Sequence, residues 1–207
     1  MDKFNLNSEY ETILSQIKVL EYDEIISKLF DTLPVLWTRS YNYLSPRISN
    51  ICVVSHDSFH YIFDIGPIDE DDFANSPIYY EPRIVTAYGI SKPQKSKRDD
   101  DRLRGWIGKT EEVFGKLWDK GHFIAHSIGG AVDRNELNIF PQKRTLNRGW
   151  SPQGKIYRKM ERYCFDNDGI FCFNRPIYFD ETFRPSLLEF GVLKRDKNLW
   201  VELFDNR

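Results

Sequence analysis

Three side chains in the second half of the chain are suited to metal-assisted hydrolysis. His122 lies in a strand-like stretch in which Phe123 and Ala125 can face the core, so its imidazole is expected to project from the opposite face at a rim. A histidine there can act as a general base on water near neutral pH, as phosphodiester hydrolysis requires. Asn147 offers a neutral amide oxygen suited to Mg²⁺, which keeps several waters and takes few protein ligands. Glu161 can accept hydrogen bonds from those waters.

Basic residues surround these three side chains. From Pro141 to Arg162 there are seven Lys and Arg residues against one acid, whereas the whole chain of 207 residues has a formal net charge of -2. Any site for a polyanion therefore has to be local. We expect the following side chains to hold nucleic-acid phosphates, with an ordinary solvated helix face as the alternative: Lys143, Arg144, Arg148, Lys155, Arg158, Lys159 and Arg162.

Four short motifs follow one another along this segment. They read Asp119-Lys120-Gly121-His122, Asn138-Ile139-Phe140-Pro141-Gln142, Leu146-Asn147-Arg148-Gly149 and, in a predicted helix, Glu161. In order, and approximately in spacing, they resemble the DNA/RNA non-specific endonucleases of the ββα-metal, or His-Me finger, type. The signature of that family is Asp-Arg-Gly-His, Asn-x-x-Pro-Gln, Leu-Asn-x-Gly and a helix carrying a glutamate. The resemblance covers residues 117 to 205.

The resemblance implies an endonuclease that depends on one Mg²⁺ ion, with Mn²⁺ as the alternative metal, and cuts DNA or RNA with little or no sequence preference. It implies that His122 is the general base, Asn147 the direct metal ligand and Glu161 a helper that acts through metal-bound water. Asp119 would be a neighbouring group that supports the metal site. Arg104, matched by position alone, would supply the arginine that stabilises the transition state, with Arg102 as the other choice.

Two features depart from the family pattern. Lys120 stands where the family usually has arginine. Ser151-Pro152-Gln153-Gly154 is inserted between the Asn147 turn and the helix expected to carry Glu161, and Pro152 precludes one continuous helix across this region.

Other functions fit parts of the same sequence. A His-x-x-x-His pair formed by His122 and His126 would suit zinc on a helix, but no Glu follows the first histidine and Gly129-Gly130 would end such a helix. The HNH subfamily uses a further downstream histidine, and none follows His126. A non-catalytic nucleic-acid-binding or interaction protein on the same fold stays open. EDTA distinguishes this alternative from the nuclease, because nucleic-acid binding would persist in EDTA whereas the nuclease depends on added divalent metal.

Periodic apolar positions in the first part of the chain predict helical structure. From Ser8 to Leu33 they recur at steps of three and four residues, with a break near Glu21, which indicates one or two amphipathic helices. Short β-rich runs at residues 51–54 and 59–65 predict a hairpin, and residues 84–90 predict a further strand.

The last third of the chain has a clearer pattern. A helix is expected over residues 154–163, with Ile156, Met160 and Tyr163 on its apolar side, followed by strands near residues 170–173, 187–193 and 199–204. The fold class predicted is α+β, with a ββα-metal core on an antiparallel sheet and an N-terminal helix and hairpin region.

A polar stretch from Lys92 to Asp101 suggests a boundary near residue 100. We expect an N-terminal region of residues 1–100, with a regulatory or targeting role, and a nuclease domain of residues 101–207. The acidic run from Asp69 to Asp72 is interpreted as a solvated loop.

Composition excludes several classes of protein. No apolar run is long enough to span a membrane, and the first twenty residues lack the order of a signal peptide. Three cysteines with no C-x-x-C pair argue against a disulfide scaffold or a structural zinc site, although Cys164 and Cys172 could pair after export. We expect a cytoplasmic protein, or one exported by a specialised secretion system. A nuclease of this kind would serve as a toxin or defence effector, held inactive by a cognate inhibitor or immunity protein.

Overall fold

The computed structural model describes residues 5–45, 49–66, 82–94, 114–131 and 135–207. The helices in this part of the chain are α1 (Asn7–Ile17), α2 (Tyr22–Leu44), α3 (Asn135–Asn138), α4 (Arg144–Asn147) and α5 (Pro152–Asp166). The strands are β1 (Ile51–His56), β2 (Phe59–Asp64), β3 (Arg83–Ile90), β4 (Trp118–His122), β5 (Ile139–Lys143), β6 (Phe171–Ile177), β7 (Leu187–Leu193) and β8 (Leu199–Asp205).

Six of these strands form one antiparallel sheet in the order β1-β2-β3-β6-β7-β8. The other two, β4 and β5, form a separate antiparallel pair. Both faces of the central strand β6 are covered, since all seven of its residues are buried. Phe171 and Phe173 belong to the core on one face and Cys172 to the core on the other, as strand alternation requires.

The long helix α2 covers one face of the sheet. Its buried residues Ile25, Leu29, Leu33, Trp37 and Tyr41 recur every four positions and form one continuous apolar stripe. Full burial of each such aliphatic side chain stabilises the fold by about 1.5–3 kcal/mol.

The same helix begins at the predicted break but extends beyond the predicted end. It starts after Glu21, where the side chains of Glu21 and Glu24 form a capping box, and this confirms the expected break. It continues to Leu44 through Pro34 rather than stopping near Leu33.

A buried polar network fixes α1 and α2 on the sheet. Arg175 Nε on β6 donates to Glu189 Oε2 on β7 at 2.7 Å, and the Tyr10 hydroxyl donates to the same oxygen at 2.5 Å. Trp37 Nε1 in turn donates to the Tyr10 oxygen at 2.8 Å. Loss of Arg175 or Glu189 alone would leave an uncompensated buried charge. The hydrogen bonds from Tyr10 to Glu189 and from Trp37 to Tyr10 attach α1 and α2 to this ion pair.

The opposite face of the sheet carries α5 and the β4–β5 pair. Its core includes Tyr157 and Met160 of α5, Phe140 of β5, Phe123 just after β4, and Phe190 of β7. The rings of Phe123 and Phe140 stack with their centroids 4.2 Å apart. The β4–β5 pair and α5 therefore form one layer, the sheet a second, and α1 with α2 a third.

The α+β class and the antiparallel sheet predicted from the sequence are confirmed. The boundary expected near residue 100 lies outside the described residues. On either side of it, β3 and β6 are neighbours in the same sheet, so both parts of the chain contribute strands to it. The acidic run at residues 69–72 also lies outside the described residues. In the part of the chain that the structure describes, no helix is long and apolar enough to cross a membrane.

The predicted apolar side of α5 is wrong at Ile156, which is 37% exposed. The buried residues on this helix are Gly154, Tyr157, Met160 and Cys164. Tyr157 rather than Ile156 enters the core because its ring fits against Phe190 and Phe204, and its hydroxyl accepts a buried hydrogen bond from Asn174. Cys164 and Cys172 are both free thiols.

Candidate active site

The site is built on the β4–β5 pair and the two helices that follow it. Asp119 of β4 pairs with Gln142 of β5, and His122 pairs with Ile139 at the other end. A Cβ at Gly121 would collide with the Gln142 side chain, so only glycine fits between these strands. The chain passes directly from β5 into α4, which ends at Asn147.

Helix α5 starts immediately afterwards because Ser151 caps it. Ser151 Oγ accepts a hydrogen bond from the Gly154 N–H at 2.9 Å, and Pro152 occupies the first turn, where its missing N–H costs nothing. Gly154 also lets α5 approach α4 closely, since a Cβ there would lie 2.5 Å from the Thr145 carbonyl oxygen. The insertion at residues 151–154 thus begins a new helix beside Asn147.

Asp119 lies at the centre of a hydrogen-bonded cluster. Its carboxylate accepts from Arg144 Nε at 2.9 Å, and from Arg148 Nε at 2.7 Å and Nη2 at 3.0 Å. Asn147 Nδ2 donates to the same carboxylate at 3.3 Å. The structure therefore brings together four predicted site residues that are up to 29 positions apart in the sequence.

The electrostatics of this cluster keep Asp119 ionised. Burial would raise the pKa of its carboxyl group, but the hydrogen bonds from the two arginines and the Asn147 amide lower it below the ordinary value. Two guanidinium groups face one carboxylate, so the cluster has an excess of one positive charge. The Arg148 side chain is 46% exposed, which leaves part of that charge accessible to an anion.

The metal-dependent nuclease activity that the sequence resemblance implies should be weakened when Asp119 is replaced by asparagine. The new amide could still accept a hydrogen bond, but it would lack the charge that holds both arginines and orients the Asn147 amide. We expect Asp119→Asn to raise the Mg²⁺ concentration needed for half-maximal cleavage by about 10- to 100-fold. Asp205→Asn is the matched control, because Asp205 pairs with Lys143 rather than with the arginines that Asp119 holds. Equal Mg²⁺ requirements for the two variants would contradict this role.

His122 ends the same strand, three residues and therefore about 10 Å along the backbone from Asp119. It is 9% exposed, so it is more buried than the rim position expected from the sequence. Phe123 next to it is buried as predicted, whereas Ala125 is only half-buried. His126 lies in a short 3-10 turn, His126–Ile128, that ends at Gly129 with φ of 100°, and this is not the helix that a zinc-binding His pair would need.

Two asparagines fix the backbone that follows His122. Asn138 Oδ1 accepts from the Ile124 N–H at 2.9 Å, while its Nδ2 donates to the carbonyl oxygens of Ile124 and Ala131 at 2.9 and 2.8 Å. Asn138 belongs to the second sequence motif, and these hydrogen bonds give it a structural role. Asn174 on β6 was not singled out at all. Its Nδ2 donates to the Phe123 carbonyl oxygen at 3.0 Å and to the Tyr157 hydroxyl at 2.8 Å.

Asn174 therefore joins the backbone beside His122 to the helix that carries Glu161. Tyr157 precedes Glu161 by one helical turn, so the strand and the helix are held through a single buried amide. The strand predicted from the sequence ends at residue 173, one position before Asn174. The structure extends it to Ile177 as the fully buried strand β6, in which a polar side chain requires hydrogen-bond partners.

Glu161 lies on α5 with its side chain only 12% exposed and pairs with Arg158, whose Nη1 lies 2.7 Å from Glu161 Oε2. Burial raises the pKa of its carboxyl group to about 7, although Arg158 acts in the opposite direction. Glu161 has no hydrogen bond to Asn147 or His122 among those described, so its predicted role rests on its place on the helix.

The raised pKa of Glu161 predicts a pH-dependent stability change in the metal-free protein. Between about pH 4.5 and pH 7 the unfolded chain loses this proton while the folded chain keeps it, so the contribution of Glu161 to stability falls as pH rises. Glu161→Gln removes this penalty. From pH 4 to pH 8, urea unfolding should show the variant gaining about 3 kcal/mol in free energy of unfolding relative to the wild type.

The control for this measurement is Asp166→Asn on the same helix, where the carboxylate is 48% exposed and pairs with Arg162. It should show no comparable trend. A stability difference between Glu161→Gln and the wild type that stays constant across this pH range would argue against the burial of an ionisable carboxyl group at this position.

The other basic residues predicted to bind phosphate differ in whether they have an acidic partner. Lys143 Nζ pairs with Asp205 at 2.9 Å, and Arg162 Nε with Asp166 at 2.8 Å. Lys155 and Lys159 are exposed on α5, and Lys159 Nζ lies 5.8 Å from the centre of the Trp200 ring. Acidic partners thus offset much of the charge that the sequence count suggested. The predicted transition-state residue Arg104, and Arg102, lie outside the described residues.

The donor atoms at Asn147 suit a hard, oxygen-preferring cation. With Nδ2 on Asp119, the amide oxygen Oδ1 is the atom suited to bind a metal. The described ranges contain no group of three or more His, Cys, Asp or Glu residues arranged to hold a metal ion. One amide oxygen with a nearby carboxylate fits Mg²⁺, which keeps most of its waters, better than it fits a zinc site of several protein ligands.

Comparisons with known proteins give little further information. No model of a known protein family matches the chain, and no curated protein matches it. Among solved structures, the Sda1 nuclease with a bound zinc ion resembles this chain with a TM-score of 0.39 and 20% sequence identity, over 77% of this chain and 75% of that one. A TM-score this low transfers neither activity nor metal from that protein to this chain.

Proposed function

We propose that this protein is a metal-dependent endonuclease that hydrolyses phosphodiester bonds of DNA, RNA or both with little or no sequence preference. The observation that carries the proposal is the Asp119 cluster. It sets the Asn147 amide oxygen, which suits Mg²⁺, beside the accessible Arg148. Asp119 itself lies on β4, the strand that ends at the buried His122.

In this proposal His122 takes the proton from the attacking water. Neutral imidazole is a suitable acceptor near pH 7, and a general base of this kind contributes about 10²- to 10⁴-fold in rate. The hydrogen bonds that Asn138 makes to Ile124 and Ala131 hold the backbone after His122, so the imidazole is attached to a fixed backbone position. A fixed position matters because proton transfer requires the base within hydrogen-bond reach of the water.

Arg148 and Arg144 would bind the phosphate, with Asp119 holding both guanidinium groups in place. Asn147 would hold Mg²⁺, or Mn²⁺ in its place, with Glu161 as an acceptor for the water around it. When bound, such an ion stabilises negative charge on the phosphate and on the leaving oxygen. Contacts of this kind reach phosphate rather than base edges, which accounts for cleavage without sequence preference.

The test is incubation of purified protein with plasmid DNA and with a structured RNA, in Mg²⁺ and in EDTA. We expect cleavage in Mg²⁺ only, and the set of substrates cut defines DNA or RNA preference. The competing function is a non-catalytic nucleic-acid-binding or interaction protein. Retardation of intact nucleic acid that persists in EDTA, with no cleavage in Mg²⁺ or Mn²⁺, would favour that function and contradict the nuclease.

We also propose that the nuclease is a toxin or defence effector. An unrestrained nuclease would damage the cell that makes it, so it would be held inactive by a cognate inhibitor or immunity protein, or be exported by a specialised secretion system. Residues 1–100 are the proposed regulatory or targeting part. Co-purification of the active enzyme with a tightly bound neighbour protein supports this role, whereas harmless overexpression of active enzyme alone contradicts it.

A further inference from the structure

Trp150 is a large aromatic side chain that the fold leaves in solvent. It is 62% exposed, whereas Trp37 is completely buried. Its backbone is nevertheless well held, because the Trp150 N–H donates to the Thr145 carbonyl oxygen at 2.9 Å. The turn before it uses Gly149 at φ of 70°, a conformation that glycine adopts without strain. An exposed indole is thus presented at a fixed place, three residues after Asn147.

Arg148 connects this ring to the candidate active site. The Arg148 guanidinium carbon lies 5.0 Å from the centre of the Trp150 ring, within the range of a cation–π contact. The same guanidinium donates to Asp119, which in turn accepts from Asn147. The indole therefore lies one side chain away from the cluster proposed to hold the phosphate and the metal.

An exposed tryptophan beside a phosphate site has a specific chemical use. Its flat, polarisable ring stacks on nucleobases of any identity, because every base has a π-face. Stacking of this kind requires a base that is not already paired and stacked in a duplex, since extracting one costs free energy. The ring does not serve the core, because most of its surface is outside it.

We propose that Trp150, with its ring held by Arg148, is a stacking subsite for a nucleobase next to the phosphate to be cut. This inference rests on the proposed nuclease function and specifies its substrate: nucleic acid with unpaired bases, in single strands or loops, is bound more tightly than duplex. Because stacking is tolerant of base identity, this preference adds no sequence specificity.

The test measures binding separately from cleavage. In a His122→Ala background, fluorescence anisotropy gives the Kd for a labelled single-stranded DNA oligonucleotide and for the same sequence as a duplex, both in Mg²⁺. The forms compared carry Trp150, Trp150→Phe, Trp150→Leu or Trp150→Ala. Tyr43→Ala is the matched control, since Tyr43 is a 63% exposed aromatic residue on α2, on the opposite side of the sheet.

We expect Trp150→Ala and Trp150→Leu to weaken single-strand binding by between about 5-fold and 150-fold, whereas Trp150→Phe keeps most of the affinity. Duplex binding should change much less. An abasic residue at one position of the single strand should weaken binding to the Trp150 form and leave the Trp150→Ala form unaffected. The leucine variant shows whether an aromatic ring is needed or whether any apolar side chain of similar size is enough. The duplex shows whether the loss comes from base stacking or from a displaced Arg148, because a displaced Arg148 would weaken binding to both forms of DNA.

Single-strand affinities that match the Tyr43→Ala control would overturn the inference. Equal losses on single strand and duplex would also overturn it, because they would indicate disturbed phosphate binding. Cleavage by otherwise wild-type protein in Mg²⁺ is measured in parallel. If the protein with an intact His122 cuts nucleic acid and the Trp150 variants bind normally, only the stacking subsite is contradicted. If the protein with an intact His122 neither cuts nor binds nucleic acid, the nuclease proposal is contradicted as well.

Discussion

His122→Ala is expected to lower the rate of phosphodiester cleavage by about 10²- to 10⁴-fold, with the fold retained. In the proposed mechanism the His122 imidazole accepts the proton of the attacking water, and the alanine variant lacks that acceptor. The side chain is buried, so some loss of stability is expected as well. The measurement is the initial rate in saturating Mg²⁺, with circular dichroism and thermal melting on the same samples.

The matched control is His56→Ala on strand β1, where the ring is 29% exposed and contacts Asp57. This variant should cut at the wild-type rate. If His122→Ala cuts as fast as His56→Ala while remaining folded, His122 is not the general base.

Asn147→Ala is expected to reduce cleavage by about 10²-fold or more at low Mg²⁺, because it removes the amide oxygen proposed to hold the ion. Its Nδ2 also donates to Asp119, so the cluster loses a hydrogen bond. Part of the loss should be recovered at high Mg²⁺. Asn147→Asp, which keeps a ligand oxygen, should retain more activity than the alanine variant at every metal concentration.

Asn42→Ala, at an exposed position on α2, is the control for this comparison and should leave the Mg²⁺ dependence unchanged. A Mg²⁺ titration of Asn147→Ala that overlays the wild type would exclude Asn147 as the metal ligand. The rates are compared at equal fractions of folded protein, measured by thermal melting.

The sequence predicted most secondary structure because its local patterns agree with the tertiary environment. The hairpin, the strand predicted at residues 84–90 and the last two strands lie close to where short β-rich runs predicted them. Helix α2 extends to Leu44, beyond its predicted end at Leu33. Pro34 removes one backbone hydrogen bond inside this helix, but the burial of Trp37 and Tyr41 against the sheet outweighs that cost.

The site was harder to predict because its contacts join distant parts of the chain. Arg144 and Arg148 looked like independent phosphate ligands, yet both donate to Asp119, which precedes them by 25 and 29 residues. A charge count cannot show such pairing. Asn174 was not predicted as a site residue because its role depends on hydrogen bonds to Phe123 and Tyr157, which are distant from it in the sequence.

The most direct test of the central claim is the initial rate of cleavage of a fluorogenic oligonucleotide by wild-type protein and His122→Ala, purified in parallel, in Mg²⁺ and in EDTA. The proposed mechanism predicts a signal from the wild type in Mg²⁺ alone, reduced by at least about 10²-fold in the variant. Wild-type cleavage that persists in EDTA, or equal rates for the two proteins, would contradict a metal-dependent nuclease that uses His122 as its base.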